Sequence, residues 1–138
     1  MSRGIWSFAV ITCVSGLLMC QAAAVAGEPS FAIFPRAGLQ EKRADEGGPW
    51  LEFLNVPALM AGLYELPAGA DDHQTPHARD EIYYVMGGRA EIVVEGKRRR
   101  IGPGDVIYVR RDAEHRFEKI DADLSLLVIF APGGEWED

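Results

Sequence analysis

The sequence predicts an all-β protein, either a sandwich or a barrel of short strands. Short runs rich in β-branched, aromatic and aliphatic residues alternate with turn segments such as "MGG", "VEG" and "GPGD". After residue 26, no stretch places apolar residues at helical spacing over three turns. Many short strands separated by glycine- and proline-containing turns are typical of sandwiches and barrels.

The first 26 residues are predicted to be a secretory signal that is not part of the fold. They contain one positive charge, Arg3, then the apolar run "IWSFAVITCVSGLLMC", then the small-residue sequence "AVA" at 24–26. These are the three parts of a cleavable export signal. An uncleaved membrane anchor is the alternative, because no charge follows Arg3 within the segment. We expect export to the periplasm or the extracellular space, with no membrane attachment after cleavage.

Cleavage would leave residues 27–138, a length suited to one domain with one hydrophobic core. Both cysteines, Cys13 and Cys20, would be lost with the signal, so the mature chain would have no disulfide. Loss of Arg3 would change the formal charge from −7 to −8. An acidic surface disfavours nucleic acid and anionic lipid as partners. The basic run "KRRR" at 97–100 is predicted to be an exposed strand edge.

Residues 30–58 are predicted to supply N-terminal edge strands. The segment "FAIFPRAGL", residues 31–39, is interpreted as a strand interrupted by Pro35, because proline in sheets favours edges. The segment "WLEFL" is the next predicted strand. Three aromatic residues are interpreted as core or rim positions without assigned chemistry: Trp50, Phe53 and Tyr64.

The remaining strands are predicted to form a barrel over about residues 59–131. The last of them, "LSLLVIF", is apolar on both faces except at Ser125, so we expect it to be covered on both sides. It is either a central strand or a strand whose outer face meets a second subunit. The other predicted strands are "LMAGLYEL", "EIYYVM", "RAEIVV", "DVIYV" and "HRFEKI".

Candidate chemistry is concentrated in "HQTPHARDE", residues 73–81, which holds two of the three histidines and two acidic residues. His77 and Glu81 flank a short polar turn, so one can end a strand and the other can begin the next. His115 begins a later strand, which a barrel can bring beside them. Two imidazoles and one carboxylate can hold a divalent transition metal with positions left open. Composition alone also permits an ordinary polar loop.

The spacing of these residues resembles the two conserved motifs of the cupin family, over residues 59–131. The resemblance implies a double-stranded β-helix, a small jelly-roll barrel. It also implies one divalent transition metal (Fe, Mn, Zn or Ni) held by His77, Glu81 and His115, and a homodimer. The positions that match or align with the motifs are Gly69, Thr75, His77, Glu81, Gly88, Gly104 and His115.

Thr75 stands where the family has its first histidine, and a hydroxyl is a poor ligand for a transition metal. In a straight strand His73 would share the face of His77, but at ~3.3 Å per residue it would begin about 13 Å away. Gln74 would turn to that face if Pro76 produces a bulge. The fourth position is therefore left to Gln74, to His73, or to water or substrate.

Strand alternation predicts which residues line the site. Tyr83 shares the face of Glu81, and Phe117 shares the face of His115. Tyr83 either bonds a ligand or Glu81, or fills the barrel as an aromatic plug. With the three ligands occupied, Tyr83 and His73 are the remaining candidates to carry a proton.

The function predicted from these residues is an exported metalloenzyme that acts on a small molecule inside the barrel. A metal with open positions can hold substrate and dioxygen together, or act as a Lewis acid in isomerase or lyase chemistry. Oxygenase chemistry, of the dioxygenase type, is the commonest implication of the resemblance. The alternative is a non-catalytic cupin that binds a small molecule or a metal, since the sequence offers no nucleophile–base pair.

Overall fold

The computed structural model describes residues 30–132, so the predicted signal at 1–26 lies outside the described residues. The described chain is built from strands, as predicted, with one short helix. No helix in this range has both the length and the hydropathy needed to span a bilayer. The elements are α1 Arg36–Glu46, β1 Trp50–Val56, β2 Leu59–Leu66, β3 Glu81–Val94, β4 Lys97–Ile101, β5 Val106–Val109 and β6 His115–Phe130.

The strands form one antiparallel sheet in the order β1-β2-β6-β3-β4. Strand β5 pairs with the first half of β3, and β4 pairs with its second half. Strand β6, which contains "LSLLVIF", lies between β2 and β3, so its prediction as a central strand is confirmed.

The long strands β3 and β6 bend sharply, and this bend closes the fold. Val94 pairs with His115 at one end of the ladder, and Glu81 pairs with Phe130 at the other. In a straight sheet those ends would lie about 43 Å apart, at ~3.3 Å per residue over β3. Register shifts interrupt the ladder between Val85 and Glu91, and such irregularities bend and twist strands. The bend brings the side chains of Glu81 and His115 into contact.

Gly88 lies at the centre of this bend, with a φ of 89°. A Cβ built there would lie 2.3 Å from the carbonyl oxygen of Asp123 on β6, so only glycine fits. The alternating inward residues of β3 and β6 then fill one core. Its buried members include Tyr83, Val85, Phe117, Leu124, Leu126 and Val128.

The edge strand predicted at residues 31–39 is wrong, because helix α1 begins at Arg36. Pro35 directly precedes the helix, where its fixed φ suits the first turn. The helix ends at Glu46, and Gly47 caps it with a φ of 74° and a bond from its N–H to the Arg43 carbonyl. No residue of α1 is fully buried. The helix therefore has no buried apolar face that the spacing of apolar residues in the sequence could indicate.

Polar contacts attach α1 to the sheet through Glu65 of β2. Gln40 Nε2 donates to Glu65 Oε1 and Arg43 Nε donates to Glu65 Oε2, both at 2.7 Å. Ser125 Oγ on β6 donates to the same carboxylate at 2.9 Å. Burial disfavours the charged form of Glu65, but these hydrogen bonds and the charge of Arg43 hold its pKa below the ordinary value of 4.5.

We expect Glu65→Gln to destabilise the protein by about 1 kcal/mol at pH 7, because the pair with Arg43 is partly exposed. The pKa of Glu65 is lowered in the folded state, so the stabilisation is present above pH 4.5 and is lost as the pH falls below that value. Urea unfolding of both proteins at pH 7 and pH 3 measures this. The difference between them should shrink at pH 3, and an equal difference at both pH values would contradict the assignment.

Candidate metal centre

The three predicted ligands meet at one end of the barrel. His77, Glu81 and His115 place one donor atom each within 4.8 Å of one another. His115 Nε2 lies 2.8 Å from Glu81 Oε1, and His77 Nε2 lies 3.9 Å from Glu81 Oε2. Glu81 and His115 are buried, with side-chain exposures of 1% and 0%, whereas His77 is 33% exposed. The group therefore has two buried donors and one donor at its opening.

Different local structures position these donors. Glu81 is the first residue of β3, and His115 is the first residue of β6. His77 lies in irregular chain between β2 and β3. The prediction that His77 ends a strand is therefore wrong. The carbonyl of His77 accepts a bond from the Asp112 N–H at 2.8 Å, which ties this segment to the turn before β6.

His115 is held with its Nε2 directed into the group. Its Nδ1 lies 2.8 Å from the carbonyl oxygen of Ala113, which can only accept, so Nδ1 carries a hydrogen. Burial disfavours the charged imidazole, but the hydrogen bonds to Glu81 and Ala113 and the nearby acidic charges raise the pKa of His115 above its ordinary value. His115 Nε2 therefore faces Glu81 Oε1, at the position where a metal ion would bind.

Glu81 gives the best test of whether a metal fits. Its Oε2 is buried and has no hydrogen-bond partner among the described residues. A buried carboxylate oxygen without a partner is costly, and an ion bound to it is one physical explanation. Two imidazole nitrogens and a carboxylate are also a donor set used for divalent transition metals. The residues present therefore fit the predicted cofactor.

Tyr83 and Gln74 lie directly beside the three donors. Tyr83 is buried, and its hydroxyl lies 3.0 Å from both His115 Nε2 and Gln74 Oε1. Burial, followed by the negative charge of Glu81, raises the pKa of Tyr83 well above the ordinary tyrosine value. Gln74 thus reaches the site, as the bulge hypothesis required, although the chain around Pro76 is irregular and not a bulged strand.

The other predicted site residues have different positions. His73 is exposed and lines a separate surface groove with Arg43 and Asp71, so the structure does not bring it to the three donors. Thr75 is exposed as well. Phe117 is buried behind Tyr83, with ring centroids 5.3 Å apart and the rings nearly perpendicular. It supports the site by packing and does not line it.

Sequence reasoning missed Asp72, a buried acidic residue that organises the site. Its carboxylate accepts hydrogen bonds from Tyr64 Oη at 2.6 Å, Gln74 Nε2 at 2.6 Å and the Phe117 N–H at 2.8 Å. It also accepts a longer bond from the Gln74 N–H, at 3.2 Å. This last contact is an Asx turn, and "DHQ" is the local signal that could have indicated it.

A cavity of about 220 Å³ lies next to the donors, and of the three donors His77 is part of its lining. Gly62 makes room for its outer wall, because a Cβ there would lie 2.0 Å from the ring of Trp50. Trp50 in turn meets Phe130 edge-to-face, with centroids 6.0 Å apart. Two aromatic residues to which the sequence assigned no chemistry, Trp50 and Tyr64, therefore form part of this wall. The full lining is Trp50, Met60, Tyr64, Gln74, His77, Tyr83, Val128 and Phe130.

Comparison with known proteins gives a family and several relatives. The family model for the cupin domain matches residues 62–130. Over 94 residues the chain is 43% identical to an uncharacterized protein of Streptomyces coelicolor, covering 68% of this chain and 90% of that protein. Over 86 residues it is 33% identical to the dimethylsulfoniopropionate lyase DddQ of Ruegeria pomeroyi, covering 62% of this chain and 41% of the lyase.

Solved structures agree with these matches. The crystal structure of the same DddQ superposes with a TM-score of 0.53 at 31% identity, covering 60% of this chain and 42% of that one. The chain thus spans less than half the length of this lyase. A cupin protein of Methanocaldococcus jannaschii with a double-stranded β-helix fold gives a TM-score of 0.56 at 16% identity, covering 60% and 78% of the two chains. The predicted double-stranded β-helix is confirmed.

Proposed function

The chain belongs to the cupin family, and on that basis we propose that it is a metal-dependent enzyme acting on a small molecule in the cavity next to His77, Glu81 and His115. The observation that carries the proposal is the buried, unpartnered Oε2 of Glu81 among these donors, next to a cavity. When bound, a divalent metal supplies a Lewis acid for an anionic group of the substrate and a positive charge beside Glu81.

The cavity walls favour a small organic cation that also carries a carboxylate. At about 220 Å³ the cavity is smaller than typical sites for drug-sized ligands, so the substrate is small. Trp50, Tyr64 and Phe130 present aromatic surface, which attracts sulfonium and quaternary ammonium groups. The carboxylate of Asp72, which accepts a hydrogen bond from Tyr64, lies behind this surface and reinforces the attraction. The substrate's own carboxylate would lie at the metal end of the cavity.

Dimethylsulfoniopropionate, the substrate in the name of the relative DddQ, has this chemistry. Among the reactions left open by the sequence, its lyase activity favours an elimination. The positive charge of a bound metal would offset the burial and the charge of Glu81 that raise the pKa of Tyr83, so that Tyr83 could react as the phenolate. The phenolate Oη would take a proton from the carbon next to the carboxylate, and the carbon–sulfur bond would break. Its electron pair would leave on sulfur as a neutral sulfide, while a carbon–carbon double bond forms. Tyr83 supports this role because it is part of the cavity lining and its hydroxyl lies 3.0 Å from His115 Nε2.

The test is release of dimethyl sulfide from dimethylsulfoniopropionate, measured by gas chromatography with protein loaded separately with Fe, Mn, Zn or Ni. Metal-stripped protein and Glu81→Gln are the controls, and both should release none. Oxygen consumption is followed in parallel on the same substrate. Substrate-dependent oxygen uptake without sulfide release would favour an oxygenase instead. Metal binding without turnover of this or related onium acids would favour the non-catalytic alternative.

Export is part of the proposal and is supported by the three-part sequence of residues 1–26. Mass spectrometry of the protein recovered outside the cytoplasm should show a chain that begins near Gly27. Retention of residues 1–26 in that protein would contradict cleavage.

A homodimer is also part of the proposal, supported by apolar side chains on the outer face of the sheet. Ile82 of β3 pairs with Tyr108 on one side and Ile129 on the other, and Tyr84 pairs with Val106. All five are exposed in the single chain. Because the pairs are adjacent across β5, β3 and β6, they form one patch. A two-fold contact would bury the same patch on both copies.

We expect Ile82→Asp to convert a dimer into a monomer, because a charge would be buried at the centre of the contact. Light scattering at micromolar concentration measures the mass. Glu41→Arg, on the exposed surface of α1, also changes a surface charge and should leave the mass unchanged. A monomer mass for the unsubstituted protein would refute the dimer.

A further inference from the structure

We propose that the acidic tail, residues 133–138 ("GGEWED"), docks in a groove between strands β4 and β5 of its own chain. Trp136 would lie on the apolar floor of this β4–β5 groove, and the acidic side chains of the tail would lie beside Lys97 and Arg99. The six residues of the tail lie outside the described part of the chain. This contact is independent of the metal centre and of the proposed function.

The β4–β5 groove has a volume of about 520 Å³ and lies between two free strand edges. Strand β3 pairs with β5 along its first half and with β4 along its second half. Within residues 30–132, neither β4 nor β5 pairs with a second strand. Free strand edges bind other chains unless they are covered. A segment of the same chain that lies in the groove would cover both edges.

The floor of the groove is apolar. Ile92 of β3 and Ile101 of β4 are buried in the core, and Ile107 of β5 packs against the same core. All three residues line the groove. Val106 and Tyr108 also border it, but strand alternation directs them to the outer face of β5, where they belong to the patch of the proposed dimer. The floor and the dimer patch therefore use opposite faces of β5.

Strand alternation divides the basic run "KRRR" between two faces of β4. Lys97 and Arg99 share the core side of the strand with the buried Ile101, and both line the groove. Arg98 and Arg100 lie on the outer face, where both form ion pairs with acidic residues of β6. Two cations of the run are thus directed towards the groove.

These two cations are available to an acidic ligand. In the described part of the chain, no acidic side chain forms an ion pair with Lys97 or Arg99. The acidic residues of the lining have other partners. Glu95 lies 3.5 Å from Arg110, and Asp105 accepts a bond from a backbone N–H at 2.8 Å. The groove therefore offers positive charge beside an apolar floor.

The composition of the acidic tail matches this groove. Three acidic residues, Glu135, Glu137 and Asp138, flank Trp136. In an extended segment, successive side chains point to opposite sides. A tail that lies along the groove can therefore place the indole on the floor while its two glutamates face outwards, towards the charged ends of the two long basic side chains.

The tail also leaves the barrel close enough to reach the groove. The Ala131 N–H bonds the Asp80 carbonyl at 2.9 Å, on one side of the β3 line, and Val109 at the end of β5 pairs with Glu81 on the other side. Two strand spacings, roughly 10 Å, therefore separate Ala131 from the end of β5. Trp136 follows Ala131 by five residues and can lie up to about 16 Å from it, at ~3.3 Å per residue.

The test follows the indole N–H of Trp136 by NMR in ¹⁵N-labelled mature protein without metal. Two tryptophans, Trp50 and Trp136, follow residue 26, and the resonance that is lost in Trp136→Phe identifies the second. We expect its exchange with water to be at least about tenfold slower than in the free peptide GGEWED. Exchange as fast as in the peptide would overturn the proposal without any variant of the groove.

Charge reversal in the groove tests the binding partners. Lys97→Glu combined with Arg99→Glu should return the Trp136 indole to the exchange rate of the free peptide, because the groove would then repel the tail. Lys42→Glu is the matched control, since Lys42 is an exposed cation of α1, and it should leave the exchange slow. Slow exchange that survives the double reversal would overturn the assignment of Lys97 and Arg99.

Neutralising the tail gives the same test without changing the barrel. Glu135→Gln, Glu137→Gln and Asp138→Asn together should make the exchange of the Trp136 indole fast. In the unsubstituted protein, 1 M NaCl should also speed this exchange, because the screening length falls from about 10 Å at 0.1 M salt to about 3 Å. Exchange that stays slow in the neutralised tail would overturn the charge pairing, even if the groove variant does not fold.

Mixing two variants distinguishes the chain's own tail from the tail of a second copy. ¹⁵N-labelled protein carrying Lys97→Glu and Arg99→Glu is mixed with an excess of unlabelled Trp136→Ala protein, whose groove is intact. The labelled Trp136 indole should keep its fast exchange, because each tail docks in its own chain. Slow exchange in the mixture would overturn the intramolecular contact in favour of a tail exchanged between copies.

Discussion

His77→Ala is expected to remove most of the metal affinity and to leave the barrel folded. His77 lies in irregular chain and is 33% exposed, so its truncation leaves little new cavity in the core. It supplies one of only three strong donors in the group. Changes to residues behind a ligand typically cost about 10- to 100-fold in affinity, so loss of a direct ligand should exceed about 100-fold.

The same loss is expected for Glu81→Gln and His115→Ala, which remove the buried donors. His73→Ala is the matched control, because His73 is a neighbouring histidine that lies away from the group. Metal stoichiometry after dialysis, with circular dichroism as the check on folding, measures the effect. Stoichiometry unchanged in both His77→Ala and His115→Ala would show that these histidines are ordinary polar residues.

Tyr83→Phe is expected to lower kcat by about 10²- to 10⁴-fold, the range typical for removal of a general acid or base. The substitution removes only the hydroxyl, which contacts Gln74 and His115. The aromatic ring, which packs at 5.3 Å against Phe117, stays in place, so the core should be preserved. Metal affinity should also be preserved, since Tyr83 is not one of the three donors.

Sulfide release from dimethylsulfoniopropionate gives kcat, and Zn²⁺ titration gives the affinity of the same preparation. Tyr108→Phe is the matched control, because Tyr108 is exposed on β5 and is not part of the cavity lining. A Tyr83→Phe enzyme with full kcat would assign the proton transfer to another group. Loss of both kcat and metal binding would show instead that the hydroxyl organises the donors.

The strand content, the central position of β6 and the grouping of His77, Glu81 and His115 could all be predicted from the sequence. The reason is that strand alternation and turn residues are local properties of the sequence. In addition, the spacing of the three donors resembled the spacing in the motifs of a known family. Helix α1 could not be predicted by the same approach. It is held to Glu65 by Gln40 and Arg43, and polar contacts of this kind leave no apolar periodicity in the sequence.

The sequence by itself determined which residues could bind a metal and that Glu81 and His115 begin strands. Only the tertiary structure decided their surroundings: that Gln74 bonds Tyr83 while His73 faces another groove, and that Asp72 lies at the centre of the network. The irregular chain before β3 has no repeating geometry from which side-chain directions could be inferred. Its conformation is fixed by bonds to residues far along the chain, such as that from Phe117 to Asp72, and these form only when β3 and β6 bend and close the barrel.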